Sequence, residues 1–384
     1  MSTDTEHFLE KLVSFPTVSR DSNLEMIQYM ASYLDEMGIE PALTFNEERT
    51  KANLYAVFGP EGPGGVLLSG HTDVVPTDGQ HWTVDPFKLT RKNNCFYGRG
   101  TTDMKGFIAS VLAMIPGAQA RHLKYPVHLA FSYDEEIGCV GVRRMIGMLQ
   151  AADQLPGFCI IGEPTSLEVA IAHKGKTAAV CRCRGVEAHS AMATHGLNSI
   201  YLATEMIHGI REIQSEIQAT GERDEMYGVP YTTVHVGTIQ GGTALNIIPQ
   251  CCEFRFEIRN LASDDPVGIM ARIRDLANAV TAQYSTRFPQ AKIEIEIFNE
   301  YPSLNTAADD EVVTFVRKLA QTDRPIKVDF GTEGGLFQTR LGLPTVVCGP
   351  GSMEQGHKPD EFIEQSQLAY CDAFLARLLD QMCE

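Results

Sequence analysis

The segment PVHLAFSYDEEIG, residues 126–138, joins an apolar run to a cluster of acids. Residues 127–133 have the pattern of a buried strand, and Asp134, Glu135 and Glu136 follow it directly. Three adjacent carboxylates repel one another, although an isolated acidic triplet is most simply a solvated turn after a strand. The residues at the ends of neighbouring strands decide whether this triplet is a solvated turn or part of a functional site.

Apolar strands and helices alternate on both sides of this segment. Strands are predicted at 53–58, 65–69, 127–133, 158–161 and 344–348, and helices at 5–15, 104–115, 140–150, 309–321 and 362–382. Such alternation is typical of an α/β domain with a mostly parallel, buried sheet. We therefore predict a discontinuous α/β domain formed by residues 1–176 and 300–384.

The middle of the chain has a different pattern. Strands are predicted at 177–184, 232–239, 251–258 and 292–298, and helices at 199–217 and 266–282. The order βαββαβ is that of a split βαβ, or ferredoxin-like, domain. Residues 177–299 are therefore predicted to form an inserted α+β domain.

Composition restricts the class of protein and of partner. A length of 384 residues, with 43% apolar and 21% charged residues, is typical of a globular protein with two domains. The net charge of −17 disfavours nucleic acid as a partner. No run approaches the roughly 18 apolar residues of a membrane span, and the N-terminal residues lack the pattern of a signal peptide. We expect a cytoplasmic protein without a membrane partner.

The ten cysteines lie in apolar runs such as 157–161 and 345–348, and they include no CxxC pair. In a protein without an export signal, such residues behave as small buried hydrophobic side chains. A zinc site made of thiolates is therefore disfavoured.

Two further strands end in side chains that bind metal ions in other proteins. The strand at 65–69 leads to His71 and Asp73, and the strand at 158–161 leads to Glu163. Ligands of open α/β sheets lie beyond the carboxyl ends of the strands, so these side chains and the acidic triplet should share a cleft. Asp103 stands just before an apolar helix.

Each residue also has an ordinary explanation. Asp103 could cap the helix, and His71 could be a hydrogen-bonded core histidine. Several acids at one sheet edge, however, would repel one another unless a cation neutralised them. Imidazole and carboxylate ligands suit a pair of divalent ions, and one carboxylate can bridge two ions. Asp73 could fix the tautomer of His71, and a glycine-rich segment, 348–357, could supply a second imidazole, His357.

Seven motifs are spread over nearly the whole chain. They are HTDVVP (71–76), Trp82 with DPF (85–87), YGRGTTDMKGF (97–107), DEE (134–136), GEPTS (162–166), HKG (173–175) and GPGSMEQGHKPDE (349–361). Together they resemble the dizinc aminoacylase and carboxypeptidase family M20, and within it the acetylornithine deacetylases. The motifs are specific for the family and less so for the substrate.

The resemblance implies two zinc ions per subunit, with cobalt as a substitute. The implied ligands are His71, Asp103 and Glu163 for one ion, and Asp103, Glu136 and His357 for the other, with Asp103 as the bridge. Glu135 is implied as the general base that takes a proton from a water whose pKa the ions lower, giving hydroxide at ordinary pH. The resemblance leaves Asp134 without a role.

The resemblance further implies that the inserted domain is a lid and dimerisation domain. His189 would reach the active site of the partner subunit in a homodimer and hydrogen-bond to the substrate carbonyl oxygen, although Ala188 replaces a glycine that is common in the family. Asn246 would contact the substrate, and Arg259 would bind its carboxylate. The ordinary alternatives are a surface histidine in a turn and a solvated charged face on the strand.

The segment GTEGGLF, residues 331–337, resembles the substrate-pocket loop of the family. Thr332 and the neighbouring amides would then bind the substrate. Glu333 would pair with a cationic side chain such as the ammonium group of ornithine, or else be an ordinary acid at a helix start.

The implied reaction is deacylation of a small N-acyl amino acid. N2-acetyl-L-ornithine is the favoured substrate, giving L-ornithine and acetate in arginine biosynthesis. Succinyl-diaminopimelate, another acylated amino acid or a carboxypeptidase-type amide would require the same chemistry. A non-catalytic protein of this fold would be expected to lack a ligand or the base, and a redox or nucleotide enzyme is disfavoured because no GxGxxG turn or P-loop follows a predicted strand.

Overall fold

The computed structural model describes residues 3–383, which form nine α-helices and eighteen β-strands. The helices are α1 Thr3–Val13, α2 Leu24–Glu36, α3 Gly106–Gln119, α4 Val142–Gln150, α5 Ser199–Thr220, α6 Pro266–Ser285, α7 Glu311–Ala320, α8 Gly334–Leu341 and α9 Gln365–Gln381. The strands are β1 Ala42–Phe45, β2 Ala52–Phe58, β3 Val66–His71, β4 Thr90–Lys92, β5 Cys95–Tyr97, β6 Val127–Ser132, β7 Phe158–Pro164, β8 Ala170–His173, β9 Gly175–Arg184, β10 Ala188–His189, β11 Thr233–Gly241, β12 Ile247–Ile248, β13 Cys251–Asn260, β14 Lys292–Tyr301, β15 Leu304–Asn305, β16 Ile326–Val328, β17 Thr345–Gly349 and β18 Phe362–Glu364.

The described chain folds into two compact units. The first contains the chain up to Ala172, Leu304–Lys327 and the chain from Thr332 onward, and the second contains His173–Ser303 and Val328–Gly331. The boundaries predicted from the sequence, 177 and 299, fall just inside the second unit. The role of this unit as a lid and dimerisation domain remains a prediction.

The first unit is built on a nine-stranded sheet with the order β1-β2-β6-β3-β7-β17-β8-β15, in which β16 pairs with β8. The central strands β6, β3, β7 and β17 are parallel, whereas the pairs β1/β2, β2/β6 and β17/β8 are antiparallel. The α/β class is confirmed, but the sheet is mixed and not mostly parallel. A crossover between two parallel strands needs a connection of about a dozen residues or more. The connection 46–51 between β1 and β2 and the connection 165–169 between β7 and β8 are too short for such a crossover.

Helices cover the central strands, which explains their apolar sequences. Every residue of β3 and of β6 is buried. Helix α3 packs against α1 and α9 and contacts β3 and β7, while α8 packs against α4 and contacts β17 and β7. The polar side chains at the carboxyl ends of β3, β6 and β7 therefore lie next to one another.

The second unit has the element order β9-α5-β11-β13-α6-β14, which is βαββαβ. Its sheet has the order β11-β13-β9-β14 and is antiparallel throughout. In β13, Cys252, Phe254, Phe256 and Ile258 are buried, whereas the charged residues between them are not. The buried face packs against α5. None of the described helices combines the length and the apolar character that a membrane crossing requires.

Candidate metal centre

Side chains from several segments of the first unit meet at the carboxyl ends of its central strands. His71 is the last residue of β3, and Glu163 lies near the end of β7. Glu135 and Glu136 follow shortly after β6, whose last residue, Ser132, is aligned with His71 in the parallel register. The pairing of three buried parallel strands therefore gathers one imidazole and three carboxylates.

Asp103 lies between two histidines. Its Oδ1 atom is 2.9 Å from Nε2 of His71, and its Oδ2 atom is 3.1 Å from Nε2 of His357. The Nε2 atom of His71 is also 3.5 Å from Oε1 of Glu163, and the Nε2 atom of His357 is 3.0 Å from Oε2 of Glu136. The cluster thus consists of two groups of possible metal-ligand atoms, and the Asp103 carboxylate belongs to both groups.

The charge of this cluster fits a pair of divalent cations. Burial and the charge of Asp103 raise the pKa of Glu136 to about 7. Burial, reinforced by the charge of Glu136, raises the pKa of Glu135 to about 8. Hydrogen bonds to Asp103 and Glu136 raise the pKa of His357 to about 11. Burial is the main cause of the shifts at Glu135 and Glu136, and neighbouring carboxylates add to it. Bound metal ions would supply the positive charge that these buried acids lack.

Asp103 does not cap the helix that follows it. Helix α3 begins at Gly106, and its N-cap position is Lys105, whose side chain makes no capping hydrogen bond. Asp103 belongs to the short segment Thr101–Lys105, has extended backbone angles (φ −122°, ψ 91°) and is joined to Met104 by a cis peptide bond. Its carboxylate contacts the two histidines instead of helix amides.

Asp73 holds the acidic turn in place. Its carboxylate accepts hydrogen bonds from the backbone N–H groups of Glu135, at 3.0 Å, and Glu136, at 3.3 Å, and from the hydroxyl of Ser19, at 2.7 Å. Nδ1 of His71 lies 2.9 Å from the Asp73 carbonyl oxygen and 3.6 Å from its Oδ1 atom. The carbonyl, rather than the predicted carboxylate, is therefore the closer acceptor for a proton on Nδ1, which would leave Nε2 as the ligand atom.

Asp134 forms an ion pair with a lysine. Its Oδ1 atom lies 2.5 Å from Nζ of Lys51, which also donates to the carbonyl oxygen of Ser19. Asp134, the first of the three adjacent acids, thus anchors the turn through its ion pair with Lys51, which lies far away in the sequence. The sequence left Asp134 unassigned because Lys51 carries no motif that marks it as its partner.

Glu333 lies beneath the ends of β3 and β6 and is 2% exposed. It accepts hydrogen bonds from Ser132, at 2.5 Å, and Ser69, at 3.5 Å, and burial raises its pKa to about 7. Thr332 is also fully buried, and its Oγ1 atom accepts a hydrogen bond from the Gly334 N–H at the start of α8. Glu333 is therefore not a solvated acid at a helix start. Ser69 and Ser132, two hydroxyl side chains within apolar strands, were the sequence signal for a buried hydrogen-bonding partner.

Two of the predicted substrate residues lie side by side in the second unit. His189 on β10 is aligned with Ile247 on β12, and the N–H of Ser190 donates to the carbonyl oxygen of Asn246 at 3.0 Å. Nδ1 of His189 accepts a hydrogen bond from the Ala191 N–H at 3.1 Å. The side chains of His189 and Asn246 are exposed.

Arg259, the third of these residues, already has partners. Its guanidinium donates to both carboxylate oxygens of Glu257, at 3.0 and 3.2 Å, and to the hydroxyl of Tyr301 at 2.9 Å. A substrate carboxylate that binds Arg259 as a fork would have to replace Glu257.

Comparison with known proteins gives the same family over most of the chain. Residues 67–381 match the model of the family described as Peptidase family M20/M25/M40. The chain is 35% identical over 382 residues to the acetylornithine deacetylase of Pasteurella multocida (strain Pm70), which covers 97% of this chain and 96% of that protein. It is 34% identical over 384 residues to the acetylornithine deacetylase of Proteus mirabilis (strain HI4320), with 97% and 95% covered.

Solved structures share the fold at lower identity. An M20 family metallo-carboxypeptidase from Sulfolobus solfataricus has a TM-score of 0.80 and 17% identity, with 100% of both chains covered. An aminopeptidase from Bacillus cereus has a TM-score of 0.76 and 17% identity, covering 99% of this chain and 98% of that one. With the family model and the relatives above 30% identity, these likenesses lead to one assignment. The chain is a hydrolase of peptidase family M20/M25/M40.

Proposed function

We propose that the chain is a two-metal amidohydrolase that removes the acetyl group from N2-acetyl-L-ornithine, giving L-ornithine and acetate. The observation that carries the chemistry is the convergence of two imidazoles and two further carboxylates around Asp103, with Glu135 beside them. The preference for acetylornithine is supported by the identity of 35% to an acetylornithine deacetylase over nearly the whole chain.

The proposed ligands divide into two sets that share one carboxylate. His71, Asp103 and Glu163 would hold one ion, and Asp103, Glu136 and His357 would hold the other. This mixture of nitrogen and oxygen donors suits zinc and also accepts cobalt. When bound, the ions polarise the amide carbonyl and lower the pKa of a water molecule.

Glu135 is the proposed general base and acid. Asp73 holds its backbone N–H, and the thiol of Cys139 donates to its Oε1 atom at 3.2 Å, so the side chain has a defined position. The carboxylate takes a proton from the attacking water as the water oxygen bonds to the amide carbon. When the C–N bond breaks, Glu135 gives that proton to the departing ornithine nitrogen, and acetate is the second product.

The second unit is proposed to complete the substrate site in a homodimer. His189 donates a hydrogen bond to the substrate carbonyl oxygen in the partner subunit, with Asn246 beside it. Arg259 binds the substrate carboxylate after its hydrogen bonds to Glu257 have broken. Sedimentation of the metal-loaded protein tests the dimer, because a monomer with full activity would leave this role of His189 without support.

Hydrolysis of a small substrate panel tests the function. The panel contains N-acetyl-ornithine, N-succinyl-diaminopimelate, N-acetyl-methionine and a C-terminal glutamate amide, each assayed with metal-loaded and chelator-treated protein. We expect chelator-sensitive cleavage of N-acetyl-ornithine with the highest kcat/KM. Preference for another panel member would retain the two-metal chemistry and reject the substrate. Cleavage that survives complete removal of metal would reject the chemistry.

Glu333 is the proposed determinant of the cationic side chain of the substrate. A hydrogen bond to a charged group contributes about 1.5–3 kcal/mol, so Glu333→Gln should lower kcat/KM for N-acetyl-ornithine by roughly tenfold to a hundredfold. N-acetyl-methionine has no ammonium group on its side chain, and its kcat/KM should change much less. The ratio of the two values is the measurement.

Glu311→Gln is the matched control for this substitution. Glu311 is an exposed acid in the first turn of α7 and belongs to the same unit. Its replacement should leave the ratio unchanged. If Glu333→Gln lowers kcat/KM equally for both substrates, Glu333 supports the strand ends through Ser69 and Ser132 and does not select the substrate.

A further inference from the structure

Arg99 and Glu361 form a buried ion pair next to the metal centre. Nη1 of Arg99 lies 2.6 Å from Oε2 of Glu361, and each side chain is only 1% exposed. The two residues are separated by 262 positions in the sequence. Charged side chains are rarely buried so completely, and removing them from water is costly unless further hydrogen bonds satisfy both partners. Those further hydrogen bonds lead to two of the proposed metal ligands.

Glu361 holds the backbone of the shared ligand. Its second oxygen, Oε1, accepts hydrogen bonds from the N–H of Thr102 at 3.0 Å and from the N–H of Asp103 at 3.2 Å. Asp103 is not in a regular helix, so neighbouring helical hydrogen bonds do not fix its position. The Glu361 carboxylate supplies that constraint through these two backbone N–H groups.

Arg99 holds the segment of the second imidazole. Its Nη2 atom donates to Oε1 of Gln80 at 2.6 Å, and Nε2 of Gln80 donates to the carbonyl oxygen of His357 at 3.0 Å. Nη1 of Arg99 also lies 3.4 Å from the carbonyl oxygen of Lys358. The guanidinium is 5.0 Å from the ring of Trp82, whose Nε1–H donates to Gln80 at 3.0 Å. His357 is in an irregular loop with a φ of 61°, so these contacts fix a ligand that no strand positions.

We propose that Arg99 and Glu361 are positioning residues that set the separation between Asp103 and His357, and so the affinity of the ion which Asp103, Glu136 and His357 hold. His71 and Glu163 lie on buried strands and do not depend on this pair. The ion held through His71 and Glu163 should therefore be affected less. This inference rests on the two-metal part of the proposed function and not on the substrate.

The test is a titration of metal-free protein with Co²⁺, followed by visible absorption and by competition with a chelator. The main variant, Arg99→Met with Glu361→Gln, removes both charges and leaves neither buried alone, which is the least disruptive way to delete such a pair. We call binding of the ion held by Asp103, Glu136 and His357 the second step, and binding of the other ion the first. We expect the second step to weaken by about 10- to 100-fold, as for other residues that orient metal ligands. The first step should change less than the second, and activity should recover at high Co²⁺ concentration. Thermal unfolding of the metal-free protein measures any general loss of stability.

Gln80→Met provides a second, milder variant. Gln80 is only partly buried, and its side chain links Arg99 to the carbonyl oxygen of His357. This variant should weaken the second step alone. Arg121→Met is the control for the arginine substitution, because Arg121 forms a partly exposed ion pair with Asp380. It should bind both ions normally.

The outcomes separate this inference from the function. Wild-type protein that binds only one ion would reject the two-metal function itself. If wild type binds two ions and the folded double variant binds both with unchanged affinity, the positioning role of Arg99 and Glu361 is wrong. If the double variant does not fold, Gln80→Met decides: an unchanged second step rejects the proposal, and a selectively weakened second step supports it.

Discussion

Glu135→Gln should lower kcat by about 10²- to 10⁴-fold while the protein keeps its metal ions, which is the usual contribution of a general acid–base group. Glutamine has nearly the shape of glutamate but cannot accept a proton from water. The backbone N–H of residue 135 would still donate to Asp73, so the turn should keep its conformation. Steady-state kinetics and elemental analysis of metal on the same preparation measure both effects.

The neighbouring acid provides the contrast. Glu136→Gln should lose bound metal together with activity, because its carboxylate lies 3.0 Å from Nε2 of His357 within the proposed ligand set. The exposed Glu354 precedes His357 in the same loop, and Glu354→Gln should change neither metal content nor kcat. An unchanged kcat for Glu135→Gln, or a loss that only follows lost metal, would remove Glu135 from the role of base.

Asp103→Asn should weaken binding of both ions and lower activity by about 10³-fold or more. The two carboxylate oxygens of Asp103 face two different histidines, at 2.9 and 3.1 Å. An asparagine offers one oxygen and one NH₂ group, so it cannot serve both sets of ligands. Bound metal supplies several kcal/mol of transition-state stabilisation, and each 1.36 kcal/mol corresponds to a factor of about ten in rate.

Metal content after dialysis, measured with activity before and after adding Zn²⁺ or Co²⁺, tests this prediction. Asp275→Asn is the matched control, since Asp275 is exposed on α6. An Asp103→Asn protein that retains two ions and wild-type kcat would show that the carboxylate is not the bridge. Loss of one ion alone would assign Asp103 to a single set of ligands.

The site residues that could be predicted from the sequence are those that directly follow a predicted strand. His71, Glu163 and the acidic triplet each follow a short apolar run, and parallel strands buried on both faces place such positions at one edge. That reasoning required only local sequence and the order of the elements. It also extended to His357, because the glycine-rich segment follows a further apolar strand, β17.

Contacts between distant side chains could not be predicted in the same way. Arg99 and Glu361 are 262 positions apart, and Lys51 and Asp134 are 83 apart, so neither pair leaves a periodic signal. The strands β4 and β5 have three residues each, too few to show alternation. The mixed character of the sheet likewise depends on short edge strands whose direction is set by their connections.

The position of β17 has a consequence for how the protein is made. This strand lies between β7 and β8, to which it is hydrogen-bonded on either side, yet it begins about 180 residues after β7 ends. At ribosomal rates of roughly 5–20 residues per second, the nascent chain waits on the order of 10–40 s for this strand. During that interval one edge of β7 has no neighbour, and an unpaired apolar strand edge is the kind of surface on which chains aggregate. The yield of folded protein therefore depends on how that edge is shielded while translation continues.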